Sequence, residues 1–450
     1  YSQNRPETPE KKEDMSEEPP AADKRGNRRG LRRLLLIGVP IAVSLGLSST
    51  IFLLIYSESS LAPVAGTLLE AFVGHYTLLA IPFFILAGNI MNRGGIAMRL
   101  IEFAKVLGGR LPGALAHCNV LANMMFGSIS GSAVASAAAV GGVMAPLQKK
   151  EGYSPAFSAA VNIASCPTGL LIPPSATFIV YSLITNGTSV AALFVAGYVP
   201  GILMGLCLML VAGFIAKRRG YPVAERPSSR EIVDKTLAAM LPLGLIVIVM
   251  GGIVGGVFTA TEASAVAVVY TLFLAVVVYR EVTWRDLPGI VLESAVTTSI
   301  VLLMIGCSIA MSKAMAFADI PYSISDILLG LSENPIVLLL IINLALLVVG
   351  TFMDMTPALL IFTPIFLPVV EDLGMDPVHF GVVMTFNLCI GICTPPVGSA
   401  LFVGCSVGGV KIGEVLRPML GFYAVLVALL LVVTYVPELS LFLPRVLLGY

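Results

Sequence analysis

Pro146, Gly152, Pro155, Val161, Gly169, Pro173 and Pro174 recur in step, 222 residues later, as Pro368, Gly374, Pro377, Val383, Gly391, Pro395 and Pro396. The residues between them are almost all apolar. A repeat of this kind makes each copy a unit that completes its packing against the other. Helix breakers at matching places in apolar sequence also free backbone groups, which must be buried in protein or line a wet cavity. In a membrane chain the two features together point to a secondary transporter with its site between the copies.

The membrane setting follows from composition. The 450 residues are 57% hydrophobic and 12% charged, where a soluble domain carries about 25% charge. The expected fold is an all-α polytopic protein in a lipid bilayer. The seven cysteines lie in or beside apolar segments and read as small buried hydrophobes. Residues 1–33 differ in kind: polar, Pro-rich and charged, they read as a disordered basic cytoplasmic tail. The tail has no apolar core of the sort a signal peptide needs.

Apolar stretches run over about 34–57, 72–92, 113–148, 154–186, 188–216, 236–257, 262–280, 289–312, 335–370, 376–408 and 418–444. A straight crossing takes about 20 residues. The stretches 113–148 and 335–370 are too long for one crossing and short for two, and have small or polar centres, GSISGS and GTFMDMTP. They read as re-entrant helical hairpins. Each precedes a stretch, 154–186 or 376–408, that reads as a transmembrane helix broken by Pro-Pro. With the tail inside, two hairpins and nine crossings leave only Lys313 and Arg445 of the 27 Lys and Arg outside, in keeping with the positive-inside rule. The hairpins then enter from opposite faces, so the repeat is inverted, as alternating access favours. The expected organisation is tail (1–33), scaffold helices (34–112), first transport half (113–186), scaffold and arm helices (187–334), second transport half (335–408) and a C-terminal scaffold helix (409–450).

The hairpin tips and Pro-Pro breaks are expected to face each other. Ser128, Ser130 and Ser132 supply hydroxyls at the first tip, and 165–175 supplies backbone carbonyls at the first break. The second copy offers Thr351, Asp354 and Thr356 at its tip and Gly391, Thr394, Pro395, Pro396 and Gly398 at its break. Such oxygens suit a hard cation. Asp354 is the one carboxylate inside a hairpin; an intramembrane acid is costly and marks function, although the residue could instead cap the returning arm. The serines could equally serve close helix packing. Thr259 and Glu262 have capping-box spacing. Asn162 and Asn387 lie inside the broken helices as candidate braces. His75, His117 and His379 are scattered, so no transition-metal site is expected. No GxxxxGK[ST] or HExxH motif occurs, and a GxSxG match, GCSVG at 404–408, lies in an apolar stretch rather than at a strand-to-helix turn, which argues against nucleotide use and against an enzyme. Nothing suggests nucleic-acid binding.

Five ordered segments, GSISGSAVASAAAVGGVMAP, GLLIPPSATFIVYSL, GGVFTATEASAVA, GTFMDMTPALLIFTPIFLPV and IGICTPPVGSALFVG, resemble the large membrane (permease) subunit of tripartite ATP-independent periplasmic (TRAP) transporters over about 34–445. The resemblance implies an inverted-repeat elevator-type transporter in the bacterial inner membrane. It implies sodium-coupled uptake of an organic acid, a C4-dicarboxylate, sialic acid or a related carboxylate. A periplasmic substrate-binding protein would deliver the acid, and a small four-helix membrane subunit would be the second partner. Carried over by motif, one sodium ion would sit among Ser130, Gly169 and the Ile172–Pro174 carbonyls. A second would sit among Asp354, Gly391 and the Thr394–Pro396 carbonyls. Substrate would meet Ser132 and Ser175 between the tips, near Asp354. The chain departs from the family at its start, where LRRLLLI stands in place of a full apolar helix before the GVP turn. A stand-alone sodium symporter of the divalent-anion or citrate type is the alternative.

Overall fold

Capping residues set the boundaries of the repeat. Ser154 and Asp376 hold extended backbone, and their side chains accept the amides of Phe157 (3.3 Å) and Val378 (2.8 Å). Pro155 and Pro377 follow at the first helical position, where a missing N–H costs nothing. The structure, a computed structural model, describes residues 41–56, 66, 76–108, 113–185, 187–221, 228–319, 323–324, 326–327, 330, 332 and 334–450. The expected tail, 1–33, lies outside them, as does His75.

Among the described residues the regular structure is all helical. Helix α1 is Ile41–Tyr56, α2 is Ala80–Arg93 behind a 3-10 turn, Tyr76–Leu79, and α3 is Ile96–Gly108. The first copy of the repeat comprises α4 (Ala114–Ser130), α5 (Ala133–Lys150), α6 (Pro155–Ser165), the single turn α7 (Thr168–Leu171) and α8 (Ala176–Ile184). There follow α9 (Val190–Arg219), α10 (Ser229–Val254), α11 (Ala260–Leu272, continued by π-helical Phe273–Val278) and α12 (Leu287–Phe317). The second copy comprises α13 (Pro335–Phe352), α14 (Met355–Asp372), α15 (Pro377–Gly391) and α16 (Ser399–Gly408). The chain continues through α17 (Ile412–Tyr435) and α18 (Glu438–Leu448). The capping box appears as its spacing indicates: Thr259 N donates to Glu262 Oε2 at 2.8 Å, and Glu262 N donates to Thr259 Oγ1 at 3.3 Å.

Both 113–148 and 335–370 fold as helical hairpins, and α5 and α14, each 18 residues, start 222 residues apart. Among the described residues, seven helices are long and apolar enough to cross a bilayer, or up to nine spans if each of two bent pairs counts as one. One bent pair is the first broken helix, α6–α8, with a 51° bend. The other, α2 and α3, bends by 70° at Gly94–Gly95 and is unexpected from the sequence. Gly95 has φ +68°, and a Cβ there would lie 1.7 Å from the Glu281 carboxylate. The apolar stretch 418–444 also divides, into α17 and α18. Pro437 pushes Val436 (φ −119°, ψ 84°) out of helical geometry.

The hairpins and broken helices form one continuous apolar core with α9 and α17. Their arms cross over: α14 of the second copy packs on α8 of the first, and α5 of the first packs on α16 of the second. The same core takes in the inner faces of α2, α3, α10, α11 and α12, with α2 packed against α11 and α12, and α3 against α10. Outer helices expose large apolar side chains, such as Val247 (71%) and Leu292 (66%), as suits a surface that faces hydrocarbon.

Candidate functional site

The first tip is built by a glycine and a cap. Gly131 (φ +63°) ends α4, and its amide donates to Gly127 O at 2.9 Å. Ser132 starts α5, its Oγ accepting Ala135 N at 3.2 Å. Ser130 Oγ reaches the Gly127 and Ser132 carbonyls only at 3.5 Å each, so its hydroxyl is loosely held. Behind the tip, α4 crosses the broken helix at backbone contact. A Cβ on Gly169 would lie 2.1 Å from the Gly127 carbonyl carbon. The second copy repeats the crossing, with a Cβ on Gly391 2.5 Å from Gly350 Cα.

Both breaks carry free carbonyls. The Pro173–Pro174 and Pro395–Pro396 bonds are cis. Among the described residues, the carbonyls of Ile172, Pro173, Pro174 and Pro396 accept no hydrogen bond, while that of Thr394 closes the turn over 395–397. Ser175 is fully buried and its Oγ has no partner. A buried, unpaired hydroxyl costs about 1–3 kcal/mol. Its presence beside free carbonyls suits a guest that brings its own interaction. Uncharged oxygens of this kind fit a hard cation. Among the described residues, no three His, Cys, Asp or Glu gather in the manner a transition metal needs.

The second tip is tied to its own break. Thr351 O accepts Val397 N at 3.1 Å, and Thr394 Oγ1 donates to Ile390 O at 2.7 Å. Asp354 has the backbone of an N-cap, but its side chain makes no capping bond. Instead Oδ1 accepts the Ser399 hydroxyl at 3.0 Å, placing the exposed carboxylate at the N-terminus of α16, where a negative charge is favoured.

A cavity of about 300 Å³ opens at the first tip. Of the expected site residues, Ser130, Ser132 and Pro174 line it. Gly169, Ile172 and Ser175 are buried and do not line it, and Asp354, Gly391, Thr394 and Pro396 are not in its wall. Thr356, two residues from Asp354, is the second hairpin's contribution. Asn89 and Asn92 of α2, Thr177 of α8 and Thr297 of α12 complete its polar lining, with no charged side chain. Sequence reasoning missed these four. Asparagines within an apolar helix were the available signal.

Asn162 and Asn387 act as braces. Asn123 Nδ2 lies within 3.0 Å of Asn119 Oδ1, Asn162 Oδ1 and Ser165 Oγ, and Asn123 Oδ1 accepts Ser136 Oγ at 2.7 Å. Asn162 Nδ2 donates to Ala137 O at 2.8 Å, so α4, α5 and α6 share one knot. In the second copy Asn387 Nδ2 reaches Asn343 O and Oδ1, both at 2.9 Å. Between the copies, Cys389 Sγ lies 3.6 Å from Pro167 O.

Known proteins resemble this chain in sequence and in fold. The family described as "Tripartite ATP-independent periplasmic transporter, DctM component" matches residues 30–439. The uncharacterized protein YgiK of Salmonella typhimurium is 58% identical over 413 residues, covering 91% of this chain and 94% of that protein. The C4-dicarboxylate TRAP transporter large permease protein DctM of Pseudomonas aeruginosa is 43% identical, covering 89% and 94%. In fold, the chain is similar to the YdaH transporter of Alcanivorax borkumensis, with TM-score 0.63 and 14% identity over 91% of this chain and 97% of that one. The protein is thus a multi-pass membrane permease rather than an enzyme, and it belongs to the DctM family of TRAP transporter large permeases.

Proposed function

We propose that this permease drives uptake of an organic acid, a small dicarboxylate, sialic acid or a related carboxylate, with the sodium gradient. A periplasmic binding protein delivers the acid, and a small four-helix membrane subunit braces the permease. The observation that carries the reading is the pair of Pro-Pro breaks with free carbonyls, one beside an orphaned buried Ser175 hydroxyl and the other beside Asp354. One sodium ion sits among Ser130, Gly169 and Ile172–Pro174. The other sits among Asp354, Gly391 and Thr394–Pro396. Ser132 and Ser175 meet the substrate.

Movement is of the elevator type, with the two halves inverted and each hairpin travelling with its broken helix. Support comes from the exchanged arms, α14 on α8 and α5 on α16. Reciprocal contact is the mark of two-fold related units. Further support comes from Cys389 meeting Pro167, its own counterpart 222 residues away. Only positions near a two-fold axis can touch their equivalents.

Two experiments test this. Organic-acid uptake into liposomes, with the partner proteins present, should require sodium and no ATP; equal uptake in potassium, or dependence on ATP, refutes the coupling. Uptake that persists without the soluble protein supports the stand-alone alternative. For the inverted topology, Lys150→Cys should react with an impermeant reagent from the cytoplasm and Asp372→Cys from the periplasm. Both positions are exposed in the structure. Reaction of both from one face rules the inversion out.

A further inference from the structure

The central cavity shares a lining residue, Asn92, with a larger cleft of about 720 Å³. That cleft holds Arg93 and Arg99, which the charge distribution assigns to the cytoplasmic face. A third cleft of about 830 Å³, at the α14–α15 turn on the opposite face, has no lining residue in common with the cavity. The cavity is therefore continuous in its walls with one side of the protein.

Two helices carry the connection. On α2, Asn89 lines the cavity, Asn92 borders both spaces and Arg93 lines the cleft. On α5, Ala135 lines the cavity, and Ala139 and Val143 line the cleft. Their four-residue spacing puts these three on one helix face, and two of them are no larger than a methyl group. Asn89 is committed to Ser294 Oγ at 2.8 Å. Asn92 is exposed, and its side chain makes no hydrogen bond among the described residues, so its amide is available to a passing carboxylate. Beyond it, the cations that line the cleft, Arg93, Arg99 and Lys235, are already paired. Arg99 meets Glu281 at 2.9 Å, Lys235 meets Glu102 at 3.0 Å, and Arg93 meets Glu293 at 2.6 Å. An anion passing such pairs finds no unneutralised cation to hold it, and release requires weak sites.

We propose that the cavity empties past Asn92, between α2 and α5, into this cleft. The conformation is then the inward-open one, and Asn92 is the last uncharged polar contact of the departing acid. The proposal rests on the transport reading above. It is tested in the full chain with Asn92→Cys and Ala139→Cys, using a bulky membrane-impermeant maleimide on membrane vesicles of either orientation and a mass shift as readout. Both positions should react about tenfold faster from the cytoplasmic face, and the maleimide should block uptake by the modified variants. No reaction from that face, or equal reaction from both, overturns the proposal. Ala139→Trp adds bulk without a reagent and should slow uptake about tenfold at normal protein level; a wild-type rate also overturns it. Should Ala139→Trp fail to accumulate, the Asn92→Cys labelling decides. The labelling needs no transport, so a wild-type chain that moves no organic acid refutes the transport reading while the side to which the cavity opens is still read.

Discussion

Gly169→Ala is expected to leave little folded protein in the membrane, with Gly391→Ala close behind. At each site the new methyl would meet backbone rather than a movable side chain. At Gly169 it would lie 2.1 Å from Gly127 C and 2.5 Å from Ser128 N; at Gly391 it would lie 2.5 Å from Gly350 Cα. Overpacking that side chains can absorb costs about 1–3 kcal/mol. Here a hairpin arm must move off the broken helix, so the cost exceeds that range and approaches the whole stability of a typical domain, about 5–15 kcal/mol. Gly142→Ala is the control. It lies in α5 with open space around the added methyl, and alanine favours a helix by about 1 kcal/mol over glycine. Yield and melting temperature in detergent report the result. A Gly169→Ala protein that melts with the wild type would show that the two backbones are not in contact.

Asp354→Asn is expected to fold normally and lose sodium coupling, with sodium half-saturation raised about tenfold or more. The amide oxygen still accepts the Ser399 hydroxyl now held at 3.0 Å, so local structure survives. Only the charge is lost. Two unit charges 4 Å apart interact by about 4 kcal/mol at an effective dielectric of about 20. Ser132→Ala should do less, because other hydroxyls and carbonyls remain around it. Because the Asp354 side chain makes no capping bond, a loss of function cannot be assigned to a lost cap. Wild-type sodium dependence in Asp354→Asn would make the carboxylate structural.

The hairpins, the breaks and the capping box were legible because each is written in local chemistry: a polar centre in an apolar run, a Pro-Pro pair, a Thr and Glu at fixed spacing. The α2–α3 bend was not. It depends on Gly95 leaving room for Glu281, a residue far away in the chain. The cavity wall was half legible. Ser130, Ser132 and Pro174 belong to the repeat, whereas Asn89, Asn92 and Thr297 reach the cavity from outer helices that carry no such signature. Asp354 was legible as an unusual residue, but its partner Ser399 lies across a turn that only the folded backbone brings near.

The Asn123 knot decides what kind of moving part the first hairpin can be. Four hydrogen bonds join α4, α5 and α6 there: Asn123 to Asn162 and to Ser165, Ser136 to Asn123, and Asn162 to Ala137. Asn123, Ser136 and Ser165 are fully buried. Each bond is worth about 1 kcal/mol while made, and each buried group left unpaired costs about 1–3 kcal/mol. A flap that peeled α4 and α5 together away from α6 would break three of the four at once, Asn123 to Asn162, Asn123 to Ser165 and Asn162 to Ala137, with no water at hand to replace them. The first hairpin is therefore no door on a hinge. It is cast in one piece with α6, as a piston head is with its rod, so the proposed elevator motion would have to carry the two together.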